Sequence, residues 1–239
     1  MELHRMQSIN NIQGIPAVLY GAPSDKLFLY VHGKSGYKEE AQSFAAIAGK
    51  VGFQVLSFDL PEHGERSDEK ETFDPWTVVP ELRQILSFAK ERWGQISIRA
   101  NSIGAYFVLL AFAEESIRQC LFVSPILDME SLILKLMAWS GVTEEQLEKE
   151  QFVPTDIGET LSWNYLSYIR NHRILNWNIP TSILYGSADH MTEQSTVESF
   201  AAHHQCKLTT LYDGEHWIHT PEQLSFLNKW EKSSVELSF

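Results

Sequence analysis

The chain has 239 residues, of which 44% are hydrophobic and 21% charged, which is typical of a globular protein with one full core. Its formal net charge of −12 argues against nucleic acid or an anionic membrane surface as its main partner. No stretch approaches the roughly 20 consecutive apolar residues of a membrane span, and the first residues lack the apolar core of a signal peptide.

The first half of the chain predicts alternating strands and helices. Residues 3–9 and 15–20 have the pattern of an antiparallel pair joined by a short turn. Asp74 and Pro75 suit the cap and the first position of a helix. Further strands are predicted at 27–31, 54–58, 96–98 and 120–123, with helical spacing of apolar residues between them. This alternation, with short connections, predicts a mostly parallel, doubly wound sheet, an α/β fold.

The alternation stops after Pro125 and resumes near Thr181. Residues 126–179 look helical and irregular, and residues 157–172 within them fit either a helix or a strand. The pattern is completed by a strand at 181–185, a helix from Glu193, a strand at 207–212 and a helix capped by Thr220. We therefore expect a single α/β domain over residues 1–239, with an insertion at about 126–179.

Ser102 stands where a predicted strand turns abruptly into a predicted helix. Ala100 and Gly104 lie two positions to either side, and small residues suit such a turn because larger side chains would strike the neighbouring strand or the helix start. The turn lifts the serine hydroxyl out of the sheet and aims the backbone N–H of Ile103 at whatever the hydroxyl attacks. The alternative is a serine that merely starts a helix.

Other predicted strand ends also carry polar side chains. His32 follows the strand at 27–31, Asp189 follows the strand at 181–185, and His216 follows the last strand. Ligands of open parallel sheets bind at the carboxyl ends of the strands, where these residues should meet Ser102. A serine hydroxyl needs an imidazole to remove its proton, and the imidazole needs a buried carboxylate to fix its tautomer. These strand ends therefore carry the groups that acyl transfer requires.

Rival residues lie close to His216. His219 stands beside the Thr220 cap, which suits a surface position, and Asp213 suits a residue that shapes the turn after the strand. The pair of His216 and His219 comes closest to metal-ligand spacing, but a third ligand is not evident. We therefore expect neither a metal nor another cofactor.

Two further features bear on the compartment and on the sheet. Cys120 and Cys206 each begin a predicted strand, and we interpret both as reduced core residues of a cytoplasmic protein. Arg99 and Asn101 place a charge and an amide on a central strand. We expect the arginine to be paired by a local carboxylate or by carbonyl oxygens, and the alternative is a role in placing Asp189 or the turn at Ser102.

The segment Ala100-Asn101-Ser102-Ile103-Gly104 resembles the nucleophile elbow of the α/β-hydrolase family, G-x-S-x-G, with alanine in place of the first glycine. The order of Ser102, Asp189 and His216 along the chain is also that of the family. The resemblance covers essentially the whole chain and is greatest to the branch of monoacylglycerol lipases, small carboxylesterases and serine aminopeptidases. It implies the α/β-hydrolase fold, with an N-terminal antiparallel hairpin and a small helical lid formed by the insertion.

The resemblance also implies roles for individual residues. Ser102 would attack the substrate carbonyl, His216 would act as general base and then as general acid, and Asp189 would orient His216. Asp128 remains an alternative acid, because some members of the family place the acid after the preceding strand. The backbone N–H groups of Lys34 and Ile103 would form the oxyanion hole. His32, Gly33 and Gly104 would support it.

The implied function is hydrolysis of small to medium carboxylic esters through an acyl-enzyme, with a small-molecule substrate and no cofactor. The lid would add an apolar pocket, for which the candidates are Met129, Met137, Trp139, Trp163 and Trp217. The same three residues would also serve an amide, peptide or thioester hydrolase or an acyltransferase. A non-catalytic binding protein on the same fold is the alternative from another class. The oligomeric state does not follow from the sequence.

Overall fold

The described part of the chain comprises residues 6–70 and 72–235 of a computed structural model. In these ranges the strands are β1 (Met6–Ile12), β2 (Ile15–Tyr20), β3 (Lys26–Val31), β4 (Gln54–Phe58), β5 (Gln95–Asn101), β6 (Cys120–Val123), β7 (Phe152–Pro154), β8 (Thr160–Ser162), β9 (Thr181–Gly186) and β10 (Lys207–Leu211). The α-helices are α1 (Ala41–Ala48), α2 (Pro75–Lys90), α3 (Ile103–Phe112), α4 (Met129–Trp139), α5 (Glu144–Glu150), α6 (Trp163–Asn171), α7 (Gln194–His203) and α8 (Pro221–Val235).

Eight of these strands form one sheet in the order β1-β2-β4-β3-β5-β6-β9-β10. β2 pairs antiparallel with both β1 and β4, and the pairs from β4 to β10 are parallel. The predicted α/β fold, a mostly parallel sheet with an N-terminal antiparallel pair, is therefore confirmed. The first strand begins and ends about three residues later than predicted, and residues 3–5 of that prediction lie outside the described residues.

Strand β3 shows why the sheet is covered on both faces. Its alternate residues Leu27, Leu29 and Val31 join one apolar core, whereas Phe28 and Tyr30 join a second core on the opposite face. Successive side chains of a strand point to opposite faces, so an unbroken apolar run needs a cover on each side. Helices α2, α3 and α4 supply the first cover, and α1 and α8 supply the second.

The predicted insertion, residues 126–179, is built from α4, α5, the antiparallel β7–β8 pair and α6. Its helices begin at capping side chains. Asp128 accepts from the backbone N–H of Ser131 at 2.9 Å, and Thr143 accepts from that of Gln146 at 3.1 Å. The ambiguous segment 157–172 contains both alternatives, because β8 runs directly into α6.

The two cysteines are free thiols, Cys120 buried in β6 and Cys206 half-buried just before β10. Burial raises the pKa of both thiols, that of Cys206 to about 11. Within the described ranges, no helix is both long enough and apolar enough to cross a membrane. Nor does any group of three or more His, Cys, Asp or Glu side chains there have an arrangement that could hold a metal ion.

Candidate active site

Ser102 sits in a strained turn between β5 and α3. Its backbone φ of 48° and ψ of −123° lie in a region that residues with side chains rarely adopt. A Cβ on Gly104 would overlap the carbonyl oxygen of His32, so the helix start lies directly against the end of β3. Ala100 is fully buried opposite Val31 of β3 and Phe122 of β6. The small residues therefore permit the close approach that presents the serine at the sheet edge.

The side chains of Ser102, His216 and Asp189 form a hydrogen-bonded chain. Ser102 Oγ lies 2.8 Å from His216 Nε2, and His216 Nδ1 lies 2.7 Å from Asp189 Oδ2. An ionised carboxylate only accepts hydrogen bonds, so Nδ1 carries the proton in neutral His216. The lone pair of Nε2 is then free to accept the proton of the serine hydroxyl. The structure thus brings together three side chains that are 114 and 27 residues apart along the chain.

Asp189 is fixed in the loop after β9. Its side chain is 0% exposed, and Oδ1 accepts from the backbone N–H groups of Met191 at 2.7 Å and Thr192 at 3.1 Å. A Cβ on Gly186 would overlap the carbonyl oxygen of Gly214, so the loops after β9 and β10 meet backbone to backbone. This close approach carries the carboxylate to the imidazole.

The rival residues lie elsewhere. The Asp128 carboxylate caps α4, and the backbone N–H of Asp213 donates to Ser187 Oγ at 2.8 Å in the turn after β10. His219 is exposed, with Nδ1 2.8 Å from the carbonyl oxygen of Trp217. Within the part of the chain that the structure describes, none of the three hydrogen-bonds to Ser102 or to the ring of His216.

Lys34 and Ile103, whose backbone N–H groups are the predicted oxyanion-hole donors, line the same cavity as Ser102. Among the described residues neither N–H donates a hydrogen bond, and Ile103 is the first residue of α3, where the helix dipole favours negative charge. A Cβ on Gly33 would come within 3.2 Å of Ser102 Cβ, so the loop after β3 lies close against the serine. The arrangement suits an oxygen atom that develops negative charge beside Ser102.

Two histidines hold the loop that carries Lys34. His32 Nδ1 donates to the Gly33 carbonyl at 2.8 Å, and Nε2 accepts from the backbone N–H of Leu60 at 3.0 Å. Burial lowers the pKa of His32 to about 4, which keeps the ring neutral, as this pair of bonds requires. His63 Nε2 accepts from the backbone N–H of Ser35 at 2.9 Å.

His63 was not among the site residues predicted from the sequence. Its position in the chain could have indicated a role, because the loop at 59–67 follows β4, and the carboxyl ends of β4 and β3 lie at the same edge of the sheet. Two parallel neighbouring strands bring their following loops together.

Ser102 lies between two cavities. The first, of about 210 Å³, runs beneath the insertion and is mostly apolar; we call it the lid-side cavity. In its wall, Lys34 and Glu159 form an ion pair between the loop after β3 and the turn that joins β7 to β8. The second, of about 610 Å³, lies on the side of α8 and includes Arg99, Glu231 and His216; we call it the Arg99 cavity.

Two of the five predicted pocket residues line one of these cavities. Met129 lines the lid-side cavity, and Trp217 lines the Arg99 cavity with 73% of its surface exposed. Met137, Trp139 and Trp163 line neither. Helix α4 turns the stripe of Met129, Leu132, Ile133 and Leu136 to the lid-side cavity. Met137 packs into the core beyond that stripe, Trp139 projects into solvent, and Trp163 packs at the start of α6.

Arg99 is paired, but its carboxylate partner is distant in sequence. The guanidinium Nε and Nη2 each lie 2.9 Å from Glu231 Oε1 of α8, 132 residues further along the chain, and Nη1 donates to the Ala100 carbonyl at 3.1 Å. Arg99 is therefore paired as expected, by a carboxylate and by a carbonyl oxygen, although the carboxylate comes from a distant part of the chain. The side chains of Arg99 and Glu231 are 2% and 3% exposed, so α8 covers the pair.

No protein-family model matches the chain, and no curated protein sequence matches it significantly. Solved structures do. Est1E from Butyrivibrio proteoclasticus, with ferulic acid bound, is 19% identical with a TM-score of 0.75, over 95% of this chain and 97% of its own. An esterase from Pyrococcus furiosus is 17% identical with a TM-score of 0.64, over 98% and 91%. Mouse alpha/beta hydrolase domain-containing protein 10 is 12% identical with a TM-score of 0.72, over 97% and 98%.

Proposed function

We propose that this chain, whose fold is that of the α/β-hydrolases, is a serine hydrolase that cleaves carboxylic esters. The observation that carries the proposal is the hydrogen-bonded chain from Ser102 through His216 to the buried Asp189, at 2.8 and 2.7 Å. The imidazole can accept the proton of the serine hydroxyl, and the carboxylate can accept the hydrogen bond that orients the imidazole. Esterases among the structural neighbours agree with this reaction class.

Acylation begins when Ser102 Oγ attacks the ester carbonyl carbon and passes its proton to His216 Nε2. The carbonyl oxygen becomes an oxyanion, which accepts hydrogen bonds from the backbone N–H groups of Lys34 and Ile103. Asp189 remains ionised and stabilises the imidazolium. The intermediate then collapses: the bond from carbon to the leaving oxygen breaks, and His216 Nε2 gives its proton to that oxygen.

Deacylation repeats these steps with water. His216 takes a proton from the water, the resulting hydroxide attacks the acyl carbon, and the bond from that carbon to Ser102 Oγ breaks. His216 returns the proton to the serine, and a carboxylic acid leaves. No cofactor enters the balance of atoms, electrons or protons.

The lid-side cavity supports an acyl group of small to medium size. Its volume of about 210 Å³ and its apolar walls, including Phe73, Ile126 and Leu161, suit a short aliphatic or single-ring acid. Residues 126–179 act in this proposal as a lid within a single domain, since α4 and β8 contribute much of the cavity wall.

Substitution of Ser102→Ala tests the proposal. We expect kcat for p-nitrophenyl butyrate to fall at least 10³-fold, because the nucleophile is lost, and labelling by a fluorophosphonate probe to disappear. The exposed Ser195 of α7 offers a matched control, and Ser195→Ala should retain both rate and labelling. A folded Ser102→Ala protein that hydrolyses esters at the wild-type rate would refute the proposal. A series from acetate to decanoate, alongside aminoacyl amides, then measures the acyl preference.

A further inference from the structure

The two cavities beside Ser102 differ in their access to the catalytic imidazole. His216 lines the Arg99 cavity and is absent from the wall of the lid-side cavity. In the proposed reaction His216 Nε2 protonates the leaving group, so that group must lie on the imidazole side of the serine. The acyl group then occupies the lid-side cavity, and the leaving group occupies the Arg99 cavity.

The Arg99 cavity contains more negative than positive charge free to meet a ligand. The Arg99 guanidinium is occupied: Nε and Nη2 contact Glu231, while Nη1 donates to the Ala100 carbonyl and to Asn101 Oδ1. Glu40 is a second carboxylate in the wall, half-buried and without a hydrogen bond or ion pair to any described residue. Lys34 also borders the cavity, but its ammonium is paired with Glu159 outside it.

Two further polar groups in the wall have no partner. Glu231 Oε2 receives no hydrogen bond from a described residue, although the side chain is 97% buried. The Ser124 hydroxyl, at the carboxyl end of β6 beside Ser102, is also buried and unbonded. Buried polar groups without partners are uncommon and costly in folded proteins. A ligand group that brings a positive charge and an N–H donor would supply what these acceptors lack.

We propose that the Arg99 cavity binds the leaving group of the substrate and that this group carries a protonated amine. The proposal rests on ester hydrolysis at Ser102. The ammonium pairs with the Glu40 carboxylate, in a wall that also contains Glu231 and Ser124 as acceptors. As the ester bond to the amino alcohol breaks, the proton on His216 Nε2 passes to the leaving oxygen. The neutral hydroxyl and the unchanged ammonium then depart together as the free amino alcohol.

Other leaving groups fit the cavity less well. An anionic group would be repelled by Glu40, and a neutral polyol would bring no positive charge to that carboxylate, on which the charge of Arg99 already acts. The remaining wall suits the carbon atoms of an amino alcohol, because Phe44, Leu224 and Leu227 are apolar. The net charge of −12 also raises the local concentration of cations over that of anions.

Matched pairs of esters test the proposal. On the leaving-group side, 2-(dimethylamino)ethyl butyrate is compared with its neutral isostere 3-methylbutyl butyrate at pH 7. On the acyl side, ethyl 4-(dimethylamino)butyrate is compared with ethyl 5-methylhexanoate. We expect kcat/KM to favour the amine about tenfold in the first pair, the effect of one partly screened ion pair, and not in the second.

Glu40→Gln should abolish most of the amine preference in the first pair. Glu39→Gln is the matched control, because the neighbouring Glu39 is absent from the cavity wall and contacts Lys38 at 3.2 Å; it should leave the ratio of the two rates unchanged. Hydrolysis of the neutral esters with a ratio near one, or a ratio that Glu40→Gln does not lower, would overturn the inference and leave ester hydrolysis standing. Absence of hydrolysis with every ester would overturn the proposed function itself.

Discussion

At the scale of single residues, the site depends on backbone positions that tolerate few substitutions. Ser102 adopts a positive φ of 48°, and Gly104 has no room for a Cβ against the His32 carbonyl. Such strain persists only where the surrounding structure holds it. Here the hydrogen bond from the Ser102 N–H to the Val123 carbonyl, at 3.0 Å, joins the turn to the neighbouring strand. The serine is therefore presented by the sheet edge as a rigid group.

The identity of the acid can be tested at the same scale. Asp189→Asn keeps the size of the side chain but replaces an acceptor-only carboxylate by an amide, which can favour the wrong tautomer of His216. If the proposed roles hold, we expect kcat for p-nitrophenyl butyrate to fall about 10³- to 10⁴-fold, as for loss of the carboxylate in known catalytic triads. Steady-state kinetics and fluorophosphonate labelling rates measure the loss.

Asp128→Asn is the matched control for that substitution. Asparagine is as good a helix cap as aspartate, so α4 should keep its start and the protein its stability. We expect kcat to stay within about twofold of the wild type, because the Asp128 side chain contacts Ser131 and not His216. A large loss in Asp128→Asn together with an active Asp189→Asn would assign the acid to Asp128 instead.

At the scale of secondary structure elements, the buried pair of Arg99 and Glu231 joins α8 to the centre of the sheet. Both side chains are almost wholly buried, and burial raises the pKa of Glu231 while Arg99 opposes that rise. A buried ion pair adds little stability over an apolar pair of the same volume, but removal of one partner leaves an unpaired buried charge. We therefore expect the pair to specify where α8 docks more than to add stability.

We expect Glu231→Leu to lower the free energy of unfolding by about 3–5 kcal/mol, because it leaves the Arg99 guanidinium buried without a counter-charge. The double variant Arg99→Met/Glu231→Leu should recover most of that loss. The exposed pair of Lys90 and Glu115 supplies the comparison, and Glu115→Gln should cost less than about 1 kcal/mol. Urea unfolding followed by circular dichroism measures all three. Equal losses at the two pairs would contradict the structural assignment.

At the scale of the whole molecule, the neutral His32 links global stability to pH. Its pKa is lowered to about 4 by burial, whereas a histidine in the unfolded chain titrates at about 6.5. Between these values the unfolded state binds a proton that the folded state does not. The contribution of His32 to stability is therefore complete above about pH 6.5 and decreases as the pH falls towards 4, by about 3 kcal/mol in total.

Comparison of the free energy of unfolding of the wild type with that of His32→Asn separates the contribution of His32 from that of carboxylates that titrate in the same pH range. We expect the urea-unfolding free energy of the wild type to fall more steeply from pH 6.5 to 4 than that of His32→Asn. The wild-type His32 ring, followed by NMR, should remain neutral down to about pH 5. Parallel pH dependences in the two proteins, or a ring that titrates near 6.5, would contradict the assignment.

The alternation of strands and helices was predictable because it is recorded locally, in the spacing of apolar residues and in caps such as Asp74. The position of Ser102 at a strand-to-helix turn was predictable for the same reason, since Ala100 and Gly104 are its neighbours in sequence. The sequence also predicted that the polar residues after several strands lie near one another, because parallel strands bring their carboxyl ends to one edge of the sheet.

Only the tertiary structure decided which distant groups meet. Arg99 pairs with Glu231 of α8, and the Ser35 N–H donates to the His63 ring. Met129, rather than Trp139, lines the lid-side cavity beside Ser102. The physical reason is that periodicity records which side of an element is buried but not which surface covers it. That choice depends on the sheet order and on how each helix docks, which are settled by packing across the whole chain.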